Sequence, residues 1–325
     1  MHFANPFALS GQWFKGNLHA HSTNSDGQLT PEEVIEWYRS RGYHFLALTD
    51  HRVPSETRSV AEDFITLSGI EMDGIDPTVG IFHLIGLGFK RAPDLSCYKE
   101  DSPWQETIFG MQEMINSLRA AGACVFLGHP YWSGEMSKDL LDMEGCFGLE
   151  IWNGACEVWD CKGISTVHWD DLLAAGRRLW GLGTDDCHWL PGRSDAGLGW
   201  VWVKAAELTQ GAILDALEQG HFYASSGPQI HDLQLEGGEI YVRCSPAVAI
   251  DFIGNGPLCH RVVAPPGETL TEARYKLGER YPGSEKFLRY VRVACQDTLC
   301  RWAWSNPIFF DNTIKLPWQS GSDTA

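Results

Sequence analysis

Phe45-Leu46-Ala47-Leu48-Thr49-Asp50-His51 is a short apolar run that ends on a carboxylate and an imidazole. Endings of this kind recur along the first two thirds of the chain. They are Asn17-Leu18-His19-Ala20-His21, followed closely by Asp26 in Ser25-Asp26-Gly27, then Gly69-Ile70-Glu71 and Ile81-Phe82-His83-Leu84. Leu127-Gly128-His129-Pro130 and Thr184-Asp185-Asp186-Cys187-His188 complete the series. Scattered surface histidines would not repeatedly follow strand-like runs. Imidazoles mixed with carboxylates, without paired cysteines, suit borderline divalent metals such as zinc, manganese or iron.

Helical patterns lie between several of these runs. Thr30-Pro31-Glu32-Glu33 supplies an N-cap, a proline in the first turn and a capping-box glutamate ahead of Val34, Ile35, Trp37 and Tyr38. A second helix is expected to open at Ser102-Pro103, carry Ile108, Met111, Ile115 and Leu118 on one face, and stop at Gly122. A third is expected over 169–175 and a fourth over 209–219, with Gly176 and Gly220 as their stops. The alternation with runs at 17–21, 45–51, 124–129, 148–152 and 179–184 argues for an α/β fold of parallel strands joined by helical crossovers. Residues 66–89 are the exception, because Asp76-Pro77 and Gly80 predict a hairpin there. The histidines and carboxylates fall at or just past strand ends. Those ends gather on one face of a closed α/β barrel, and an open doubly wound sheet would gather them too. An H-x-H pair on a strand would also direct His19 and His21 to one side.

After Phe222-Tyr223-Ala224-Ser225-Ser226-Gly227-Pro228 the pattern changes to short alternating runs at 230–235, 240–244, 249–253, 290–295, 302–304 and 308–310. Three segments are therefore expected: a barrel domain over 1–227, a small β-sandwich-like domain over 228–318, and a frayed polar tail over 319–325.

Composition narrows the function classes. A net charge of −17 argues against a broad nucleic-acid-binding surface, although metals in an acidic protein could still hold a small anion. The ten cysteines form no C-x-x-C pair and are expected to be mostly buried reduced thiols. No basic segment followed by an apolar stretch opens the chain, and no apolar run reaches the length of a membrane span. A cytoplasmic location is the expectation.

The order and spacing of these residues resemble the PHP (polymerase and histidinol phosphatase) superfamily over roughly residues 14 to 227. The segments His129-Pro130-Tyr131-Trp132, His168-Trp169-Asp170-Asp171 and Thr184-Asp185-Asp186-Cys187-His188, with a β-rich tail, resemble more narrowly its CehA/McbA-type branch. The resemblance implies a distorted (β/α)7 TIM-like barrel and a site for two to three divalent ions (Zn, Mn or Fe). One ion would take His19, His21, Glu71 and Asp186. A second would take Glu71, His83 and His129, and a third Asp26, His51 and His188. It further implies a metal-dependent phosphoesterase, with a hydroxide bridging the ions as nucleophile and a small phosphorylated metabolite as substrate. The alternative is a carbamate or carboxylic ester hydrolase using the same site, and a third option is a barrel retained only for binding.

Other residues take candidate roles. Glu71 and His129 are candidate catalytic groups, and Asp50 would orient His51 or pass a proton, unless backbone N–H groups satisfy it. Arg52 and Arg193 could grip a phosphate, with Asn153 and Tyr131 in the pocket wall. Glu150 is left out because the ligand set is complete without it, and His168, His221 and His231 match no metal position. The C-terminal domain would cover the site, mediate a homodimer or stabilise. No membrane partner is expected.

Overall fold

The computed structural model describes residues 2–98 and 109–311. The expected Ser102-Pro103 helix start and the tail over 319–325 lie outside the described residues. Two compact units are present, one from Ala8 to Ser226 and the other formed by Met1–Phe7 with Gly227–Ala325. The expectation had placed residues 1–7 with the first unit. Instead β1 (His2–Phe3) pairs antiparallel with Ile308–Phe309, which ties the chain start to the second unit.

The first unit is mixed α/β and rich in sheet. From β2 (Gln12–Asn17) the chain passes through α1 (Pro31–Arg39) to β3 (Phe45–Ala47), which lies parallel to β2. The capping box forms as the sequence predicts: the Glu33 N–H donates to Thr30 Oγ1, and Glu33 Oε2 accepts from the Thr30 N–H at 2.8 Å. Val34, Ile35 and Tyr38 of α1 pack with Leu46, Leu48, Phe64 and Cys187. Next come β4 (Arg58–Ala61) and β5 (Phe64–Leu67), then β6 (Gly69–Asp76) and β7 (Gly80–Leu87), the last two forming the expected antiparallel hairpin. The second helix, α2 (Met111–Ala120), buries Met111, Met114, Ile115 and Leu118. It leads to β8 (Cys124–Leu127), the short α3 (Pro130–Ser133) and β9 (Cys146–Asn153). There follow α4 (Gly154–Asp160), α5 (Thr166–Ala174), β10 (Trp180–Thr184), β11 (Trp200–Ala205), α6 (Gln210–Glu218) and β12 (Phe222–Ser225).

Beyond the expected hairpin, strand directions depart from the parallel expectation. One ladder runs β12-β11-β2-β3-β5-β4, and the other runs β10-β9-β8-β7-β6. The pairs β2–β3, β3–β5, β8–β9 and β9–β10 are parallel, whereas β6–β7, β7–β8, β2–β11 and β11–β12 are antiparallel. Central strands such as β5 and β8 are buried on both faces, so they carry apolar runs without the alternation that marks a half-exposed strand. Outside the ladders, isolated parallel bridges pair Ala20 with Cys187 and His51 with Glu71. Both bridges join segments that carry candidate ligands.

The second unit holds two antiparallel sheets. Ile230–Glu236, Glu239–Ala247 and Leu270–Lys276 form one. In the other, Ala249–Gly254 lies between Cys259–Val263 and Tyr290–Gln296, and the latter also pairs with Trp302–Ser305. Leu233, Ile240, Val242, Ile250, Phe252, Val291 and Val293 fill its interior. The cysteines form no disulfide among the described residues, and Cys161 and Cys300 are the exposed members of a set expected to be mostly buried. Both sit at left-handed turn positions, with φ of 57° and 60°. Among the described residues no helix is long and apolar enough to cross a membrane.

Candidate metal centre

His19 and His21 lie just past the end of β2 rather than within it, and a second segment fixes them. The Asp186 N–H donates to His19 O at 2.9 Å and the His21 N–H donates to Cys187 O at 3.0 Å, so residues 19–21 and 186–187 run side by side. A similar seam lies after β3, where the Arg52 N–H donates to Glu71 O at 2.8 Å. Zipping these segments in pairs puts His19 and His21 against Asp186, and His51 against Glu71. The backbone is strained to do so. Arg52, His129, Asp186 and Trp189 have positive φ of 62°, 21°, 56° and 64°, and strain of this kind concentrates at functional sites. Asp26 arrives on a tight turn in which the Ser25 and Gly27 N–H groups both donate to Ser22 O. A Cβ on Gly27 would lie 2.7 Å from the His21 carbonyl carbon, so only glycine allows the turn to close there.

Glu71 lies at the centre of the cluster. Its Oε2 is 3.1 Å from His19 Nε2 and 3.0 Å from His21 Nε2, and its Oε1 is 2.7 Å from His83 Nδ1. Asp186 Oδ1 faces the same two imidazoles at 3.1 and 3.0 Å. These inner residues, His19, His21, Glu71 and Asp186, are all buried, and one ligand atom from each falls within 4.8 Å of the others. An outer set gathers His21, Asp26, His51 and His188, with Asp26 Oδ2 3.5 Å from His188 Nε2 and 3.8 Å from His51 Nε2. The expected second set is divided differently. His83 and Glu71 group with His51, whereas His129 groups with His19 and Glu150. The His129 Nε2 atom is 3.5 Å from Glu71 Oε1.

The donor chemistry fits divalent cations. Glu71 Oε2 and His51 Nδ1 are buried with no hydrogen-bond partner among the described residues, although imidazole nitrogens crowd around that carboxylate oxygen. The ligand atoms lie close enough together for one ion to take several of them. Charge gives the same answer. Burial pulls the His19 and His21 imidazoles toward neutrality, but Asp186 and Glu71, joined by Glu150 at His19, raise His19 well above its ordinary value and His21 to about 10. His51 and His129 are raised too, with Glu71 overcoming burial, while at His83 burial prevails and the value falls. Burial would raise Glu71 and Asp186, but His19 and its neighbours hold both carboxylates well below the usual range. The carboxylates thus stay ionised while their imidazole neighbours hold protons firmly, and a divalent cation would take the place of those protons.

A surrounding layer fixes the imidazoles. Glu150 Oε1 is 2.7 Å from His19 Nδ1 and accepts from Thr184 Oγ1 at 2.7 Å, while its Oε2 accepts from the His129 N–H and Asn153 Nδ2, each at 2.8 Å. The Nδ1 of His188 donates to Asp186 O at 2.8 Å. Orientation of this kind sets which nitrogen faces a metal. Glu150 was the residue that the sequence reading left out, and its place in the second half of β9 was the available signal. Asp73 was missed as well. It shares a strand face with Glu71, lies 3.4 Å from His51 Nδ1, and pairs with Arg52 through both oxygens at 3.1 and 2.6 Å.

Several expected roles need correction. Asp50 belongs to no ligand group and does not line the cavity; it accepts from the Ser22 N–H, Ser22 Oγ and Ser25 Oγ, each at 2.7 Å, and so braces the Asp26 turn. Asn153 is buried and donates to Glu150 and Asp186, which makes it a support behind the ligands instead of a pocket wall. Tyr131 is exposed, and its neighbour Trp132 lines the cavity in its place. Arg193 is exposed, with its guanidinium 4.9 Å from the Trp159 ring. Arg52 does line the cavity, held by Asp73 and stacked 4.2 Å from the Tyr98 ring. His168 donates to Glu135 O, remote from the cluster.

A cavity of about 660 Å³ opens over the cluster. Its floor is made by the ligands, and its sides include Arg52, Trp132, Ala155, Cys156, Trp159 and Leu190. Burial and Asp186 push the Cys156 thiol far up, so it presents a neutral group.

No family model matches the chain. It is similar to a 3′,5′-nucleoside bisphosphate phosphatase from Chromobacterium violaceum, 32% identical over 121 residues. That match covers 36% of this chain and 42% of the relative, so the chain matches less than half the relative's length. Among solved structures, a two-domain protein from Bacteroides vulgatus described as containing a predicted PHP-like metal-dependent phosphoesterase is 15% identical. It covers 82% of this chain and 85% of its own, with a TM-score of 0.47. A candidate metal-dependent phosphoesterase from Bifidobacterium adolescentis is 16% identical, covering 63% and 96%, with a TM-score of 0.41. None of these three relatives is described as belonging to the CehA/McbA-type branch.

Proposed function

We propose that this chain is a PHP-type metal-dependent phosphoesterase that hydrolyses a small phosphorylated metabolite. The observation that carries the reading is Glu71, a buried carboxylate with one oxygen facing His19 and His21 and the other facing His83. Its unpartnered Oε2 and the surrounding imidazoles supply donors for two to three divalent ions, with zinc, manganese and iron all compatible. His19, His21, Glu71 and Asp186 would hold an inner ion, and Asp26, His51 and His188 an outer one. His83 and His129 would complete the set. When bound, such ions neutralise phosphoryl oxygens and acidify water at neutral pH.

The chain's own residues do the rest. Asp73 fixes the plane of the Arg52 guanidinium, so Arg52 meets a phosphoryl oxygen in one orientation, and Arg193 adds positive charge near Trp159. Glu150 and Asn153 keep His19 and Asp186 aimed inward. The name of the Chromobacterium relative supports a phosphate ester as substrate. The bridges Ala20–Cys187 and His51–Glu71, each linking a segment of one ladder to a segment of the other, support a distorted barrel. A carbamate or carboxylic ester hydrolase is the second reading, favoured only by the apolar cavity sides. The test is metal content of protein purified without chelator, paired with hydrolysis of p-nitrophenyl phosphate, its diester and a naphthyl carbamate. Bound metal with phosphate-ester turnover is expected, and turnover of the carbamate alone would overturn the phosphoesterase reading.

A further inference from the structure

The cavity is larger than a phosphoryl group requires, and its chemistry changes with distance from the ligands. The floor is imidazole and carboxylate, while much of the side wall is apolar. Two indoles form parts of that wall near different ligands. Trp132 lies with its ring centre 5.1 Å from His129 and 5.7 Å from His83, nearly perpendicular to both. Trp159 lies 5.1 Å from the His188 ring. Trp132 is held by a hydrogen bond, whereas Trp159 Nε1 is buried with no hydrogen-bond partner among the described residues. Trp132 Nε1 donates to Asp160 Oδ2 at 2.8 Å, so the residue following Trp159 in α4 anchors the other wall. The Arg193 guanidinium lies 4.9 Å from the centre of the Trp159 ring. Leu190, Ala155 and the neutral Cys156 thiol add no charge between them.

Resting on the phosphoesterase reading, we infer that Trp132 and Trp159 determine specificity by packing against a flat aromatic group attached to the phosphoryl ester oxygen. Indole faces discriminate flat π-systems from puckered rings of equal size, because offset stacking adds to the area buried. A sugar or glycerol group would instead leave hydroxyls facing apolar walls without partners.

The experiment compares benzyl phosphate, cyclohexylmethyl phosphate and ethyl phosphate on the metal-loaded enzyme. All three leave as simple primary alcohols, so chemical activation differs little and the wall decides. Benzyl phosphate is expected to exceed cyclohexylmethyl phosphate in kcat/KM by roughly three- to tenfold. Trp159→Leu keeps the wall apolar but removes the π-face, and the benzyl preference is expected to fall toward one. A binding readout accompanies the kinetics: benzylphosphonate should quench tryptophan fluorescence at lower concentration than ethylphosphonate. Equal turnover and equal binding of all three compounds would overturn the inference while leaving the phosphoesterase reading intact. Turnover of none of the three, with carbamate cleavage instead, would be failure of the phosphoesterase reading itself.

Discussion

The inner and outer halves of the ligand cluster are built by different means. His19, His21, Glu71 and Asp186 are buried and held by strand ends zipped together, with Glu150, Thr184 and Asn153 behind them. Asp26 in the outer half sits on a turn with its side chain 54% exposed, and His51 and His188 are partly exposed. A ligand fixed before the ion arrives loses little freedom on binding, whereas an exposed turn must be ordered each time. The inner half should therefore bind its ion more tightly than the outer half.

Removing the inner carboxylate should have the largest effect. Glu71→Gln is expected to lower kcat by at least about a hundredfold and to reduce bound metal, with the far-ultraviolet circular dichroism unchanged. Full turnover by this variant would break the distinction between the halves. Glu150→Gln, at the carboxylate that holds His19 Nδ1 and the His129 N–H, should cost roughly 10- to 100-fold in metal affinity, measured by chelator competition. Asp26→Asn should cost roughly tenfold and remove only the more weakly held equivalent. If it stripped the inner ion as well, the two halves would be one cooperative site.

The smallest effect concerns a second pair of buried carboxylates. Glu150 is fully engaged, whereas Glu135 is equally buried with neither oxygen hydrogen-bonded among the described residues. Burial, aided by Asp139, raises the Glu135 carboxyl well above its usual value. A carboxyl raised in the folded state gives stability that is present below its unfolded value near 4.5 and is lost as pH rises toward the folded value. Glu135→Gln should accordingly stabilise the protein at pH 7, by about 1–3 kcal/mol, and change little at pH 4. Thermal melts at the two pH values check this, and a lower Tm at pH 7 would mean that Glu135 has a charged partner.

Much of the site was legible because chemistry marked it. The histidines stood out at the ends of apolar runs, and the Thr30 capping box announced α1. What stayed hidden depended on direction. Neighbours on an extended chain point to opposite sides, so Asp50 and His51 take different roles: His51 joins the ligand groups, and Asp50 accepts from Ser22 and Ser25. The same uncertainty separated Tyr131 from Trp132. Glu150 was hidden because supporting carboxylates and ligating ones look alike in sequence. The antiparallel β7–β8 pairing was hidden because an apolar run buried on both faces does not reveal which way its neighbour runs. The pairing of residues 2–3 with 308–309 joins chain ends with no local signal.

The central claim is that Glu71 stands between bound divalent ions. Anomalous diffraction from crystals grown with manganese tests it most directly. The account predicts one peak among His19, His21, Glu71 and Asp186 and another on the His83 side of Glu71. Saturating manganese with no peak within coordinating distance of either Glu71 oxygen would contradict it.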